Sequence, residues 1–474
     1  MGTTDVRAGL FERAVGLFGL IDGMRGVPSD ESIEGLLRLL PPDPRRNLAA
    51  FFEPHVREAG VSFLRMVKDW MFHARDARAA GRKVILVPFN FPPELVLAFD
   101  NAVPLTSEVL TTIAAVGLEG GGERYWEHMM GLGLPDHICS ANSVELGSVL
   151  SGIDLVPDAI ISAAPGGCDA NSKIHELVSR VLGIPQLLIE KPVDDSPEGH
   201  ALYDVYFRQL IERLEDFLDE RLDEDKLRRL LARANRCTEL YWELYELHKP
   251  RPCPVPNIYN LFLAPVRFCL WGSDQAIETL ETMVRTSRRR LEERAYPAPV
   301  ERARALWAYT SYYFDVNELH GWMERQGYTF LADVLDLYHP RPIDLRSRDS
   351  MIDGMIAAAW SYPMNRQMGA SSMSGAWVRD VAHGVRDLDA DCVIFCGHDA
   401  CKQSWSVVSI LGDELERMGV PLLVLHGDSW LKTVTPIAVL QEEITAFMET
   451  RVVGRRRGAG RRRLRRRSTT EGSS

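Results

Sequence analysis

The chain contains the same strand, loop, helix, strand pattern twice, and each copy has a cysteine in its loop. The first copy covers residues 158–192 with Cys168, and the second covers residues 391–430 with Cys401. In both copies an aspartate lies ten positions before the cysteine, and the helix leads through Gly-Ile-Pro or Gly-Val-Pro into an apolar strand. Internal repetition of this kind is typical of a duplicated structural unit. We therefore predict an α/β protein with two similar lobes.

The short apolar strands of the two copies favour parallel sheets. A run such as Val393 to Phe395 suits a strand that is buried on both faces, and a helix follows it directly. We expect each lobe to be Rossmann-like or flavodoxin-like. In such sheets ligands bind at the loops that follow the carboxyl ends of the strands. Cys168 and Cys401 should therefore both lie at the functional edge.

The rest of the chain is mostly helical in pattern, apart from a strand that begins at Lys83 in the run KVILVP. Five regions are predicted: a helical N-terminal region, a first α/β lobe, a helical connector, a second α/β lobe and a disordered Arg-rich tail. Their predicted bounds are residues 1–83, 84–200, 201–345, 346–450 and 451–474.

Composition excludes several classes of function. With 474 residues, 46% of them hydrophobic, the chain can bury more than one core. It has no GxxxxGK[ST] run, so we do not expect it to hydrolyse ATP through a P-loop. No apolar run is long enough for a membrane span, and the N-terminus lacks the apolar core of a secretory signal. We expect a cytoplasmic protein that does not enter a membrane.

The net charge of −11 is the sum of a basic tail and an acidic remainder of the chain. The tail from Arg451 onward has ten arginines and one glutamate, so the rest of the chain carries −20. The tail has no apolar face, which predicts a disordered, solvated extension, although contact with a polyanion stays open. An acidic body argues against a nucleic-acid-binding core.

Eight cysteines in a long intracellular chain do not indicate disulfides. Cys237, Cys253 and Cys269 lie in helical, proline-rich and apolar segments, so we interpret them as core thiols. Three other cysteines, Cys139, Cys168 and Cys401, each lie in a loop that leads into a helix.

Three separate thiolates at one edge of a sheet suit an iron–sulfur cluster with one iron left open for substrate. Helix N-termini behind the cysteines would stabilise the thiolates. A zinc site usually has a close CxxC pair, which is missing, although Cys392, Cys396 and Cys401 are near one another. From the residues alone, a cluster and purely structural thiols both stay open.

Five segments together resemble the 2-hydroxyacyl-CoA dehydratase and benzoyl-CoA reductase family, in particular subunits like the D-component of 2-hydroxyglutaryl-CoA dehydratase. They span about residues 83–430 and are FNFPPELVLAFDNAVPL, HICSANS, GGCDANSKIHELVSRVLGIPQLLIEKP, ELHKPRPCPVPN and CKQSWSVVSILGDELERMGVPLLVLHGD. The resemblance implies a [4Fe–4S] cluster held by Cys139, Cys168 and Cys401, with Cys396 as the alternative third ligand.

The resemblance also implies a lyase of anaerobic metabolism. In the family, one-electron reduction of the thioester gives a ketyl radical that expels the neighbouring hydroxyl group and acidifies the β-proton. Three partners are implied: an acyl-CoA substrate, a related second subunit in a heterodimer and an ATP-hydrolysing iron–sulfur activator protein. Three alternatives stay open: a benzoyl-CoA reductase-type subunit acting on an aromatic acyl-CoA, a non-catalytic electron-relay or structural subunit, and a double-cubane reductase.

Two residues are candidate proton carriers. His398 lies between Cys396 and Cys401 and is a possible proton donor, with a loop hydrogen bond as the alternative. Glu94 follows Pro93 and is a possible base, with a charge at a helix start as the alternative. Lys173 or Lys402 could meet CoA phosphates or balance cluster charge. Further polar residues beside the predicted ligands are Asn142, Asp169, Asn171 and Asp399.

Overall fold

The computed structural model describes most of the chain between residues 8 and 454. The described ranges are 8–23, 26–165, 168–298, 300–337, 339–362, 364–366 and 373–454. The Arg-rich tail predicted to be disordered lies outside them from residue 455 onward.

Two four-stranded parallel sheets form the centres of two lobes. The first sheet is built from β1 Lys83–Leu86, β2 Ala102–Leu105, β3 Ala159–Pro165 and β4 Gln186–Lys191. The second is built from β5 Ala303–Trp307, β6 Tyr328–Ala332, β7 Cys392–Phe395 and β8 Leu422–Val424. Their strand orders, β2-β1-β3-β4 and β6-β5-β7-β8, are the same. The predicted α/β fold with two parallel-sheet lobes is confirmed.

The central strands consist of apolar residues that are buried on both faces of the sheet. Val84, Ile85 and Leu86 in β1 are fully or almost fully buried, and every residue of β7 is buried. A parallel sheet covered by helices on both sides needs such runs, since neither face meets water.

The N-terminal region is helical, as predicted. It contains α1 Leu10–Gly19, α2 Asp30–Leu39, α3 Pro42–Ala49 and α4 Arg57–Asp76, with a 3₁₀ turn at Ala50–Phe52. The long helix α4 packs on the first lobe, where the indole Nε1 of Trp70 donates a hydrogen bond to the Pro104 carbonyl at 3.0 Å. This bond ties the region to β2.

The helices of the first lobe and of the connector follow in chain order. The first lobe has α5 Glu94–Leu97, α6 Ser107–Gly117, α7 Glu123–Gly131, α8 Ser140–Leu150 and α9 Asp169–Leu182. The connector has α10 Pro197–Leu218, α11 Glu224–Leu247, α12 Tyr259–Cys269 and α13 Asp274–Glu293.

The second lobe carries five α-helices and three π-helical turns within the described residues. The α-helices are α14 Trp322–Arg325, α15 Arg348–Trp360, α16 Val378–Asp387, α17 Lys402–Met418 and α18 Ile437–Phe447. The π-helical turns are Asn317–Gly321, Met373–Trp377 and Met448–Val453.

One sequence expectation is wrong. The second sheet takes β5 and β6 from the part of the chain, residues 201–345, that was predicted as a helical connector. Both strands are short and buried at every residue. Because a fully buried strand lacks the alternation of a half-buried one, periodicity alone cannot distinguish it from a buried helix segment. The helical prediction holds for α10 to α13.

The repeated Gly-Ile-Pro and Gly-Val-Pro motifs end the equivalent helices of the two lobes. Gly183 after α9 and Gly419 after α17 have φ angles of 66° and 72°. This left-handed conformation costs a side-chain-bearing residue energy, so glycine suits both positions. The chain then turns into β4 and β8, and the duplication extends to this turn.

No helix in the described ranges combines the length and the apolar character needed to cross a membrane.

Candidate functional site

A cavity of about 780 Å³, counting the part open to solvent, is lined by loops of both lobes. Cys139 and Cys168 reach it from the first lobe and Cys401 from the second. Most of its remaining walls are apolar or aromatic, formed by Phe89, Val109, Ala141, Ala170, Leu261, Ala264, Pro265, Phe268, Tyr309, Tyr313, Leu335, Met364, Ala400 and Trp430. The structure therefore brings together the three cysteines singled out by sequence.

Each of the three cysteines is the N-cap residue of a helix. Cys139 precedes α8, Cys168 precedes α9, and Cys401 precedes α17. The N-terminus of a helix carries a partial positive charge, which favours a thiolate over a thiol. Helices α9 and α17 are the equivalent helices of the repeat, so Cys168 and Cys401 have equivalent positions.

Burial works against ionisation of these thiols. Burial raises the pKa of Cys139 well above its usual value, and the nearby Cys168 and Cys401 raise it further. Burial, then the charge on Cys401, raises the pKa of Cys168 to about 12. Without a positive partner, Cys139 and Cys168 are therefore neutral at pH 7 despite the helix N-termini. Positively charged iron would supply the charge that stabilises these cysteines as thiolates. The residues therefore fit an iron–sulfur cluster.

Within the described residues, no group of three or more His, Cys, Asp or Glu side chains could hold a metal ion as the side chains stand. Ligands of one zinc ion converge to about 4 Å from one another, because each lies about 2.3 Å from the metal. The thiolates of a cubane cluster bind different irons and need not converge in this way.

His398 is fully buried beside Cys139. Its Nε2 lies 3.3 Å from the Cys139 Sγ, and its Nδ1 lies 3.3 Å from both the Asp428 Oδ2 and the Ser429 backbone nitrogen. The imidazole therefore bridges a thiol of the first lobe and a carboxylate of the second. Its role as proton donor stays a prediction.

Asp428 joins the two lobes and was missed by sequence reasoning. Its Oδ1 accepts hydrogen bonds from the Ser140 hydroxyl at 2.7 Å and from the backbone N–H groups of Trp430 and Leu431 at 2.8 and 2.9 Å. Ser140 directly follows Cys139, so this carboxylate also fixes the start of α8. Its position just after β8, at the carboxyl edge of the sheet, is the sequence signal that could have identified Asp428.

Glu108 is a buried carboxyl in the cavity lining that was also missed. Its Oε1 accepts from the amides of Asn142, at 3.1 Å, and Asn171. Its Oε2 accepts from the Ser107 hydroxyl at 3.1 Å and from the Phe89 N–H at 3.3 Å. Burial raises its pKa. It lies in the first turn after β2. Because ligands bind where the carboxyl ends of parallel strands meet, the reasoning used for the cysteines would have found Glu108 as well.

Other predicted site residues lie outside the cavity lining. Glu94 is buried in an ion pair with Arg267 at 2.8 Å, and burial raises its pKa. Cys396 is buried with its Sγ 3.4 Å from the Ser429 hydroxyl. Lys173 is exposed and pairs with Asp169 at 3.0 Å, and Lys402 is also exposed.

Asp399 is exposed and donates its backbone N–H to the Gly427 carbonyl at 2.8 Å. Among the polar residues predicted beside the ligands, Asn142 and Asp169 do line the cavity, and Asn171 lies behind it on Glu108. The loop between β7 and α17 therefore contributes Cys401 to the cavity and His398 behind Cys139.

Comparison with known proteins gives two matches. The family model of the 2-hydroxyglutaryl-CoA dehydratase D-component matches residues 88–450. The (R)-phenyllactyl-CoA dehydratase alpha subunit of Clostridium sporogenes is 23% identical over 221 residues, which are 44% of this chain and 53% of that protein. The chain thus spans about half the length of this curated relative. The matched residues, 88–450, make up more than half of the chain and include all three cavity cysteines, so the protein belongs to the 2-hydroxyacyl-CoA dehydratase family, of the D-component type.

Proposed function

We propose that the chain is the iron–sulfur subunit of an enzyme that removes water from a 2-hydroxyacyl-CoA. The observation that carries the proposal is that three thiols from two lobes, each at a helix N-terminus, line one apolar cavity. Cys139, Cys168 and Cys401 would hold a [4Fe–4S] cluster. Membership in a dehydratase family supports the same reaction.

When bound, such a cluster supplies a low-potential electron and, at an iron without a protein ligand, a Lewis acid for a substrate oxygen. The elimination also needs a group that takes the β-proton. Glu108 is suited to this task because it lines the cavity and burial raises its pKa. An oxygen of Glu108 would accept the proton, while the amides of Asn142 and Asn171 hold the carboxyl in place.

His398 is better suited to positioning than to proton transfer. The Ser429 N–H donates to its Nδ1, with the Asp428 Oδ2 3.3 Å from the same nitrogen, and its Nε2 faces the Cys139 Sγ at 3.3 Å. A hydrogen bond from Nε2 to the sulfur orients a ligand and tunes its donor strength. Tyr309 does the same on the other lobe, where its hydroxyl donates to the Cys401 Sγ at 3.2 Å.

The aromatic walls would exclude water from the reacting thioester. Phe89, Phe268, Tyr309, Tyr313 and Trp430 surround the thiols. Excluding water strengthens electrostatic interactions inside the cavity and protects reactive intermediates from side reactions. This matters for radical chemistry on a CoA ester, which is the mechanism that we propose.

We also propose two protein partners. The chain has no P-loop sequence, so an ATP-hydrolysing iron–sulfur activator would deliver the electron. A related second subunit would complete a heterodimer, since the relative from Clostridium sporogenes is named an alpha subunit. An anaerobic pull-down with the tagged chain checks both interactions.

The decisive experiment is iron and acid-labile sulfide analysis of protein purified without air. About four irons and four sulfides per chain are expected for one cubane cluster. Roughly twice that content would instead indicate a double-cubane reductase. Neither iron nor sulfide, in folded protein never exposed to oxygen, would refute the proposal. Loaded protein is then assayed with reduced activator and a 2-hydroxyacyl-CoA for enoyl-CoA formation.

A further inference from the structure

A second cavity adjoins the one that contains the thiols. It encloses about 580 Å³, counting space open to solvent, and shares part of its lining with the first. The residues common to both linings are Val109, Thr112, Leu261, Pro265 and Tyr313. The two cavities therefore adjoin at these side chains.

The N-terminal helices build the far walls of this second cavity. Phe18 comes from α1, Leu48 from α3, and Phe63 and Val67 from α4. All four precede residue 88, where the family match begins. These walls are therefore features of this chain that the family match does not include.

A further apolar cavity, of about 310 Å³ on the same measure, continues in the same direction. It shares Leu17, Phe18, Leu48 and Leu64 with the second cavity. Three adjoining apolar cavities thus lie one after another from the thiols to the N-terminal region.

The second cavity offers no partner to a charged group. Among the described residues, its lining contains no Asp, Glu, Lys, Arg or His, and Thr112 and Tyr313 supply the polar side chains. The Thr112 hydroxyl is already used, since it accepts from the Trp430 indole at 3.0 Å and donates to the Glu108 carbonyl at 2.9 Å. A carboxylate placed there would lose its hydration with no cation to offset the loss. The lining therefore favours a hydrocarbon occupant.

We propose that the second cavity binds the apolar end of the acyl group, so that the substrate is a CoA thioester with an extended or bulky hydrocarbon side chain. The inference rests on the proposed function, because it places the thioester and its 2-hydroxyl group at the three thiols. Short acyl groups would leave the second cavity empty. Acyl groups that end in a carboxylate would be rejected.

The first test is a chain-length series on the wild-type protein. Acetyl-, hexanoyl- and decanoyl-CoA are titrated anaerobically into the iron-loaded full-length chain by calorimetry, below the concentrations at which they form micelles. Each methylene that leaves water for an apolar cavity tightens binding about fourfold. Decanoyl-CoA should therefore bind at least about tenfold more tightly than hexanoyl-CoA, even if only part of the chain is buried.

A cavity-filling variant locates the effect. Ile113 lines the second cavity and not the first, so Ile113→Phe should abolish the preference for decanoyl-CoA and leave acetyl-CoA binding unchanged. Val149→Phe is the matched control, because it enlarges a side chain in a separate cavity between α1 and α8. That variant should keep the wild-type preference. Thermal unfolding checks that both variants fold, and the wild-type series does not depend on them.

The outcomes separate the inference from the proposed function. If acetyl-CoA binds and decanoyl-CoA binds no more tightly, the inference is overturned and the dehydratase proposal stands. If no acyl-CoA of any length binds to iron-loaded protein, both are overturned. Retention of the full preference in Ile113→Phe would also overturn the inference.

Discussion

The two lobes have the same strand order but give the cavity different chemical groups. The first contributes two thiols and the carboxyl of Glu108, whereas the second contributes one thiol, with His398 and Asp428 behind it. The difference arises between the second and third strand of each lobe in chain order. The first lobe places α8, capped by Cys139, in this connection, and the corresponding part of the second lobe, residues 333–391, has no cysteine. Duplication therefore accounts for the two similar sheets. The different segments between the second and third strands account for the different groups at the site.

The sharpest test of this asymmetry is to replace each proposed cluster ligand in turn. Cys139→Ala, Cys168→Ala and Cys401→Ala should each lose most of the bound iron, because a cubane with two thiolates is poorly held. Cys237→Ala and Cys253→Ala are matched controls in buried positions outside the cavity lining, and they should keep the bound iron. Iron and sulfide analysis provides the measurement. Retention of iron in Cys401→Ala with loss in Cys396→Ala would mean that the second lobe uses a different ligand.

Replacing the carboxyl of the first lobe should affect catalysis but not cluster binding. Glu108→Gln keeps the size of the side chain and is expected to lower kcat about 10²- to 10⁴-fold, the usual contribution of a general base, with iron content unchanged. The wild-type rate should rise with pH through the raised pKa of Glu108, because the base must be deprotonated to act. A variant with a normal rate would remove Glu108 from the mechanism and leave the second lobe as the source of the base.

The interface between the lobes should depend on Asp428. Asp428→Ala leaves the Ser140 hydroxyl and two N–H groups without their acceptor, so the free energy of unfolding should fall by about 3 kcal/mol. Asp154→Ala is the matched control, since Asp154 accepts from the N–H groups of Phe11 and Leu155 without contacting the second lobe. Urea unfolding of the apoprotein measures both variants. Only Asp428→Ala should separate the unfolding of the two lobes into two transitions, and a single transition would contradict this role.

The smallest expected net effect is a pH dependence of stability in the first lobe, about 2 kcal/mol between pH 6.5 and 8. Burial raises the pKa of Glu145 to about 8 from 4.5, so the unfolded chain releases a proton that the folded chain retains. The free energy of unfolding should fall as the pH rises from 4.5 to about 8, by up to about 1.4 kcal/mol per pH unit. Below pH 6.5 the buried His175, with its pKa lowered to about 3, opposes this trend.

The interval from pH 6.5 to 8 lies above the range in which His175 opposes the trend, and Glu145→Gln should reduce the slope there. The buried Asp333 and Asp336, whose pKa values burial also raises, are the same in both proteins and do not affect the difference. Urea unfolding of wild type and variant at several pH values measures it. Parallel curves for the two proteins would show that Glu145 does not titrate in this interval.

Sequence alone predicted the features that depend on local patterns. The repeat predicted both lobes, and the loops into helices singled out Cys139, Cys168 and Cys401. It failed for β5 and β6, whose burial on both faces removes the alternating pattern of a strand. It also failed for Glu108 and Asp428, because their importance depends on which groups face them.

Partners such as Ser140 and Asp428 are 288 positions apart, and no spacing rule links them. The contacts that make Glu108 a candidate base could therefore be recognised only from the structure. Glu94 had a plausible position after a proline, yet it lies in an ion pair with Arg267 outside the cavity lining.

The bonds that join the lobes at the cavity have a consequence for the order of folding. They link residues 259 to 318 positions apart, whereas α9 and α17 connect adjacent strands of their own sheets. Because distant contacts form more slowly than local ones, each sheet should be complete before the lobes dock. A newly made chain therefore presents its thiols openly to an iron donor for a short period. Pulsed hydrogen exchange checks this order. Protection of β3 and β7 should precede that of the Lys432 amide, which donates to the Glu123 Oε1 of the first lobe at 2.8 Å, and simultaneous protection would contradict it.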